Sequence, residues 1–116
     1  MSSKDRANLL SVLDAIQKIQ SYTRTIASAE VFYRAGMVFD ATLMNFVVIG
    51  EMVDRISDDL KAASPAVDWG KIKDFRNLVA HDYLGIDAEE VWQIVQTDLS
   101  PLRDQLKNIV DTLAGL

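Results

Sequence analysis

The sequence predicts an all-α fold, an up-and-down bundle of four or five helices. Only two prolines and five glycines interrupt its 116 residues, and such sparse punctuation favours long helices over many short strands. Apolar residues recur at steps of three and four through most of the chain, which is the period of one face of an α-helix. Because the segments between these helices are short, neighbouring helices are expected to run antiparallel.

Residues 4–26 and residues 38–63 are the two longest predicted helices. The second would be one continuous helix about 39 Å long. It ends at Ser64, because the residue before a proline is pushed out of helical geometry. Gly50 lies in its middle, where glycine costs about 1 kcal/mol relative to alanine, and we interpret it as a point of close helix–helix approach. The two apolar stripes consist of Leu9, Leu13, Ile16, Ile19 and Ile26, and of Phe39, Leu43, Phe46, Val47, Val53, Ile56 and Leu60.

Three shorter helices are predicted in the second half of the chain. One begins at Asp68, which can act as an N-cap, and frays near His81 because a glycine follows within four residues. Asp87 caps the next helix, over residues 88–96, and Asp98 caps the last one. The last helix has near-perfect three- and four-residue spacing, through Leu99, Leu102, Leu106, Ile109 and Leu113.

Composition limits the classes of function. Apolar residues make up 49% and charged residues 25%, the ordinary mixture of a globular protein, and the length predicts one domain over residues 1–116. The net charge of −5 argues against a broad, non-specific nucleic-acid surface, although it leaves room for a small RNA site. No apolar stretch reaches the roughly 20 residues of a spanning helix and no leader is recognisable, so we expect a cytoplasmic protein without membrane contact.

No metal or cofactor site is predicted. The chain has no cysteine and one histidine, which excludes a disulfide scaffold, a thiolate metal site and a cysteine nucleophile. A zinc site would then need several clustered carboxylates, and none cluster suitably. There is also no glycine-rich phosphate loop of the P-loop or dinucleotide-binding type.

The residue types needed for metal-free phosphodiester cleavage lie together in residues 74–83. His81 can exchange a proton near neutral pH, and Arg76 is a fixed cation suited to phosphate. Asn77 precedes His81 by four residues on one helix face and can orient either group or a substrate oxygen. Together they could transfer protons and stabilise charge on phosphorus. Alternatively, His81 only compensates a helix dipole, and Tyr83 is a surface aromatic.

A longer pattern surrounds these residues. Arg76, Asn77, His81 and Tyr83 match the order Arg-x4-His-x-Tyr. The chain as a whole, from about Arg6 onward, resembles HepT-type toxins, which are ribonucleases of the HEPN superfamily. The sequence departs from the family pattern at Leu84, which follows the motif tyrosine at a position where many family members carry an aromatic residue. The further similar segments are Val48-Ile49-Gly50-Glu51, Asp68-Trp69, Gly85-Ile86-Asp87, Val91-Trp92 and Asp98-Leu99.

The resemblance implies a HEPN-like helical homodimer that acts as a metal-independent endoribonuclease, the toxin of a type VII toxin–antitoxin pair. Its substrate would be transfer RNA or message. Its partner would be an MntA-like minimal nucleotidyltransferase, which silences the toxin by transferring AMP from ATP to the motif tyrosine. When the roles of the family's motif residues are assigned to the matching positions of this sequence, Arg76 and His81 are catalytic and Asn77 supports them. Tyr83 is then the AMPylated residue. Glu51 matches a recurrent acid of the family and is a further supporting residue.

A single histidine also favours a dimer on chemical grounds. Cleavage through the ribose 2′-hydroxyl requires a base on one side of the phosphorus and an acid on the other, and a two-fold interface supplies two copies of His81. Phe32, Tyr33 and Met37 lie in a connector that is hard to bury in a lone bundle, which suggests association through a helix face. Two other interpretations stay open. One is a catalytically silent HEPN-type module that assembles with a nucleotidyltransferase, and the other is a plain helical dimerisation domain.

Overall fold

Seven α-helices form the part of the chain that the computed structural model describes, residues 3–82 and 85–114, with no strand among them. The predicted all-α class is confirmed. Five helices have ten residues or more, and two helices of six residues lie between them. In chain order they are α1 (Ser3–Thr23), α2 (Ala29–Arg34), α3 (Gly36–Asp54), α4 (Asp58–Ala63), α5 (Trp69–Asp82), α6 (Ala88–Thr97) and α7 (Leu99–Ala114).

Helix α3 is the centre of the packing. It lies between α1 and α5, while α7 packs on α1 and α6 packs on α2 and α7. The apolar face that the sequence predicts for α3 is buried in these contacts, which hold the helix in place through the hydrophobic effect. The buried residues of α3 are Phe39, Thr42, Leu43, Phe46, Ile49, Gly50 and Val53.

By length and composition alone, α3 could also cross a membrane, with a mean hydropathy of 1.5 over its window. The sequence prediction overlooked this because Asp40 and Glu51 bound the longest uncharged stretch. Length and composition alone are weak evidence for a membrane span, because the core helix of a soluble protein passes the same test. In this fold, 39% of the window is buried.

The predicted continuous helix over residues 38–63 is wrong. Helix α3 ends at Asp54, and α4 begins after Ser57, which has extended backbone angles of φ −63° and ψ 149°. The Ser57 hydroxyl accepts a hydrogen bond from the Leu60 N–H at 3.2 Å. Asp5 of α1 in turn accepts hydrogen bonds from the N–H and the hydroxyl of Ser57, at 2.9 and 2.6 Å. An N-cap residue has non-helical backbone angles, so the predicted continuous helix is interrupted at Ser57.

The connector between the first two long helices also differs from the prediction. Helix α1 ends at Thr23, and the six-residue α2 follows, capped by Ser28. Phe32 is fully buried, with its ring 5.1 Å from that of Phe39 and 5.3 Å from that of Trp92. The expectation that a lone bundle could not bury Phe32 is therefore wrong, because α2 turns this ring onto α6. The other two residues of the connector, Tyr33 and Met37, are exposed, at 61% and 89%.

The predicted starts of α5, α6 and α7 are confirmed. The side-chain cap predicted at Asp98 is wrong, because this residue has helical backbone angles and its carboxylate pairs with Lys71. Asp68 accepts a hydrogen bond from the Lys71 N–H at 3.0 Å, and Asp87 accepts one from the Glu89 N–H at 2.9 Å. Short polar side chains at these positions satisfy N–H groups that have no partner inside the helix. The Asp68 cap sets the start of α5, the helix that carries the predicted catalytic residues.

Candidate functional site

The backbones of α3 and α5 meet at Gly50 and Arg76. A Cβ atom added to Gly50 would lie 2.5 Å from the Cβ of Arg76 and 3.0 Å from its backbone nitrogen. Real Cβ atoms do not come so close to other atoms, so only glycine lets the helices approach to this distance. The predicted close helix–helix approach at Gly50 is confirmed, and its partner is the predicted catalytic arginine.

Next to this contact, Arg76 forms an ion pair with Glu51. The Nη1 atom of Arg76 donates a hydrogen bond to Oε1 of Glu51 at 3.1 Å. The side chains are 28% and 44% exposed, so the pair lies at the surface of the seam between α3 and α5. A guanidinium has five N–H donors, and Glu51 is the one partner of this guanidinium among the residues described. Its other N–H groups can therefore bind an oxyanion such as phosphate.

A second ion pair crosses the same seam one helical turn away. The Nζ atom of Lys73 lies 3.2 Å from Oδ1 of Asp54. The hydrogen bond from Lys73 holds the pKa of the Asp54 carboxyl below its ordinary value, and the positive charges of Lys73, Arg76 and Lys61 lower it further. Exposed pairs of this kind contribute little to stability.

Sequence reasoning missed the Asp54–Lys73 pair, although the signal for it is present. Asp54 follows Glu51 by three residues, and Lys73 precedes Arg76 by three residues. Residues three apart lie on the same face of a helix. If two neighbouring helices run antiparallel and Glu51 pairs with Arg76, then Asp54 is expected to lie opposite Lys73. What the sequence could not supply is the register between the two helices.

Asn77 lies away from the Glu51–Arg76 pair. Its Nδ2 atom donates a hydrogen bond to Oδ1 of Asp74 at 3.4 Å. Both residues line a groove between α5 and α6, with a volume of about 440 Å³. The structure therefore brings Arg76 and Glu51 together and places Asn77 outside this pair, in the groove between α5 and α6. The remaining residues that line this groove are Lys71, Phe75, Leu78, Glu90 and Ile94.

His81 lies in the last turn of α5, which ends at Asp82, so the predicted end of the helix near His81 is confirmed. Its position is four residues after Asn77 in the same helix. Tyr83 lies outside the described residues. Within the described part of the chain, no group of three histidine or acidic side chains is arranged to hold a metal ion.

Comparison with known proteins finds similarity to one group, the HepT-like ribonucleases, in both the family model and individual relatives. The family model described as "Ribonuclease HepT-like" matches residues 12–109. "Putative RNase MJ1380" of Methanocaldococcus jannaschii is 29% identical over 108 residues, which cover 92% of this chain and 98% of that protein. "Probable ribonuclease HepT" of Thermococcus cleftensis is 25% identical over 109 residues, 94% of this chain and 98% of that protein. No solved structure matches this chain.

Proposed function

This chain belongs to the HepT-like ribonuclease family of the HEPN superfamily, and from that premise we propose that it is a metal-independent endoribonuclease whose active site is shared by two subunits. We further propose that it is the toxin of a type VII toxin–antitoxin pair and acts in the cytoplasm on transfer RNA or messenger RNA. The observation that carries the proposal is the surface guanidinium of Arg76, which is fixed at one nitrogen by Glu51.

The proposed reaction uses Arg76 to bind the scissile phosphate. When the ribose 2′-hydroxyl attacks the phosphorus, negative charge builds up on the phosphate oxygens. A positioned guanidinium can hydrogen-bond to two of these oxygens and stabilise that charge. Glu51 supports the reaction by restricting the side chain of Arg76, so that less orientation has to be imposed when the RNA binds.

His81 performs the proton transfers in this proposal. One His81 removes the proton from the attacking 2′-hydroxyl, and His81 of the second subunit protonates the 5′ oxygen that leaves. Imidazole suits both steps, because its ordinary pKa is about 6.5 and it exchanges protons near neutral pH. Asn77, four residues before His81 on α5, would orient the substrate or the imidazole.

One exposed face of α3 supports association with a second copy. Met37 and Met44 are exposed, at 89% and 63%. Met44 follows Met37 by seven residues, and Glu51 follows Met44 by seven residues. A seven-residue step is close to two helical turns, so all three side chains lie on one side of the helix. A two-fold contact through this face would cover the methionines and bring the partner subunit beside the Glu51–Arg76 pair, since an isologous interface places the same surface on both sides.

Silencing is proposed to occur at Tyr83, through AMP transfer by an MntA-like nucleotidyltransferase antitoxin. Tyr83 follows His81 by two residues, so a nucleotide on its hydroxyl would lie near the proposed cleft. Each AMP adds bulk and a negative phosphodiester charge. That charge would attract the Arg76 guanidinium and repel the RNA backbone, as other charge-adding modifications do.

A second candidate function is a catalytically silent HEPN-type module that only assembles with the nucleotidyltransferase. Two observations favour it. The net charge of −5 opposes the approach of RNA, and the guanidinium of Arg76 is already paired with a carboxylate. Cleavage by the purified protein separates the two candidates, because the silent module would bind its partner without cutting RNA.

The test is an RNA cleavage assay with purified protein in the presence of a strong metal chelator. Wild-type protein is expected to cut RNA and to leave an oligonucleotide with 2′-deoxyribose at every position intact. His81→Ala is expected to abolish cutting without loss of the fold, which circular dichroism checks. Cutting by His81→Ala at the wild-type rate, or intact RNA after incubation with unmodified wild-type protein, would contradict the proposed ribonuclease.

A further inference from the structure

We propose that the groove between the start of α1 and the end of α3 is a second phosphate subsite, which binds the RNA backbone next to the scissile phosphate. This inference rests on the proposed ribonuclease function and adds the path of the substrate. The groove, called here the α1–α3 groove, has a volume of about 450 Å³. It is lined by Lys4, Asp5, Ala7, Asn8, Arg55 and Ser57.

The walls of the α1–α3 groove carry two exposed cations. Lys4 comes from the first turn of α1, and Arg55 follows the last residue of α3. Neither has an ion-pair partner within the described ranges 3–82 and 85–114, whereas Lys71, Lys73 and Arg76 each pair with an acid. Unpaired ammonium and guanidinium groups on facing walls are the groups that bind phosphate oxygens.

The acidic residue of this groove does not cancel the two cations. Asp5 is buried, at 2% exposure, and both of its carboxylate oxygens accept hydrogen bonds from Ser57. Its single negative charge against the two positive charges of Lys4 and Arg55 leaves the lining positive. Asn8, which is partly exposed in the same groove, adds an amide that can donate to a phosphate oxygen.

The α1–α3 groove begins about one helical turn along α3 from the Glu51–Arg76 pair, because Arg55 lines its wall. Arg55 follows Glu51 by four residues, and its φ of −84° and ψ of −11° keep it in helical geometry. The two side chains therefore lie on the same side of α3, separated by about 6 Å along the axis. A strand whose scissile phosphate contacts Arg76 reaches Arg55 within one helical turn.

The other direction along α3 does not suit a nucleic-acid backbone. Beyond Glu51 toward the start of the helix, the exposed face carries Met44 and Met37, which cannot replace the water around a phosphate. The strand is therefore expected to run toward Arg55 and Lys4. Contacts of this kind provide affinity and direction without reading the base sequence, and they bring a polyanion to a protein whose net charge is −5.

The experiment measures cleavage kinetics of Lys4→Gln and Arg55→Gln on a short single-stranded RNA over a range of salt concentrations. Each variant is expected to raise KM about three- to tenfold and to leave kcat unchanged, because only a phosphate contact is lost. The slope of log kcat/KM against log salt should become shallower by about 0.7 for each cation removed, the value for single strands.

Arg24→Gln is the matched control. Arg24 is also exposed and has no ion-pair partner in the described part of the chain. It lies beyond the other end of α1, about 30 Å from Lys4 along the helix. This variant is expected to keep the wild-type KM and salt slope, so a change shared by all three variants would indicate a general charge effect and would overturn the subsite.

Equilibrium binding separates failure of the subsite from failure of the proposed ribonuclease. A fully 2′-deoxy oligonucleotide cannot be cut through a 2′-hydroxyl, so its Kd reports binding alone. Arg55→Gln is expected to raise this Kd about three- to tenfold relative to Arg24→Gln. Equal Kd values for these two variants would overturn the subsite whether or not the wild type cuts RNA, and a kcat that falls at constant KM would overturn it as well.

Discussion

A Cβ atom on Gly50 would lie only 2.5 Å from the Cβ of Arg76. The residue that we propose to bind phosphate is thus positioned by the absence of a side chain on the neighbouring helix. Glu51, the next residue of α3, then holds the guanidinium at 3.1 Å. Two consecutive residues of α3 therefore fix both the backbone and the charged end of Arg76.

Replacing Gly50 with alanine is expected to destabilise the protein. The added methyl group would meet the Cβ and the backbone nitrogen of Arg76, neither of which can move without shifting α5. Such overpacking typically costs about 1–3 kcal/mol and outweighs the gain of about 1 kcal/mol that alanine brings to a helix interior. Gly36→Ala is the control, because nothing lies within 4 Å of a Cβ there. Thermal unfolding of Gly50→Ala at the wild-type midpoint would contradict the close approach.

Removing the Glu51 carboxylate is expected to lower kcat for RNA cleavage about tenfold or more while KM stays equal or falls. Glu51→Ala frees the guanidinium, which loses its orientation but regains an uncompensated positive charge for RNA. Glu51→Gln keeps an oxygen that can accept the hydrogen bond from Arg76, so part of the loss in kcat should be recovered. Steady-state kinetics measure both constants.

The matched control for Glu51 is Asp54→Asn, which breaks the parallel ion pair with Lys73 at 3.2 Å. This variant removes a carboxylate from the same seam without touching the direct partner of Arg76. Its kcat is expected to match that of the wild type. If Asp54→Asn and Glu51→Ala lowered kcat equally, the contribution of Glu51 would be general electrostatics rather than orientation of the guanidinium.

A charge on the exposed face of α3 is expected to break the proposed homodimer. Met44→Lys puts an ammonium where the proposed two-fold contact is apolar, and burying it without a partner would weaken association at least about tenfold. Analytical ultracentrifugation should find a folded monomer, and RNA cleavage should disappear with the dimer. Leu10→Lys, which charges a 40% exposed apolar position on α1, should remain dimeric. Dissociation by Leu10→Lys but not by Met44→Lys would move the interface to α1.

Substituting Tyr83 is expected to separate cleavage from silencing. Tyr83→Phe removes only the hydroxyl that would accept AMP, so the variant should still cut RNA and should stay active when the antitoxin is co-expressed. Intact-mass spectrometry should find AMP on the wild type and none on Tyr83→Phe. Tyr33→Phe, which changes an exposed tyrosine of α2, should still be modified. An AMP adduct on Tyr83→Phe would show that the modification lies elsewhere.

Local signals in the sequence were sufficient for the fold class, for the caps at Asp68 and Asp87, and for the role of Gly50. The division of α3 from α4 could not be predicted, because it depends on Asp5, which reaches Ser57 across 52 residues of sequence. Burial of Phe32 likewise depends on where α6 lies. Glu51 entered only through a family resemblance. Its contact with Arg76 requires the register of α3 against α5, which no local pattern carries.

Mixing active and inactive subunits tests most directly whether one site needs His81 from both copies. Wild-type protein and His81→Ala are unfolded together in equal amounts, refolded and assayed for RNA cleavage with metal chelated. If both histidines act on one phosphate, only dimers with two wild-type subunits cut, and activity falls to about a quarter of the all-wild-type value. Activity of about half would mean that each subunit cuts alone and would contradict the shared site.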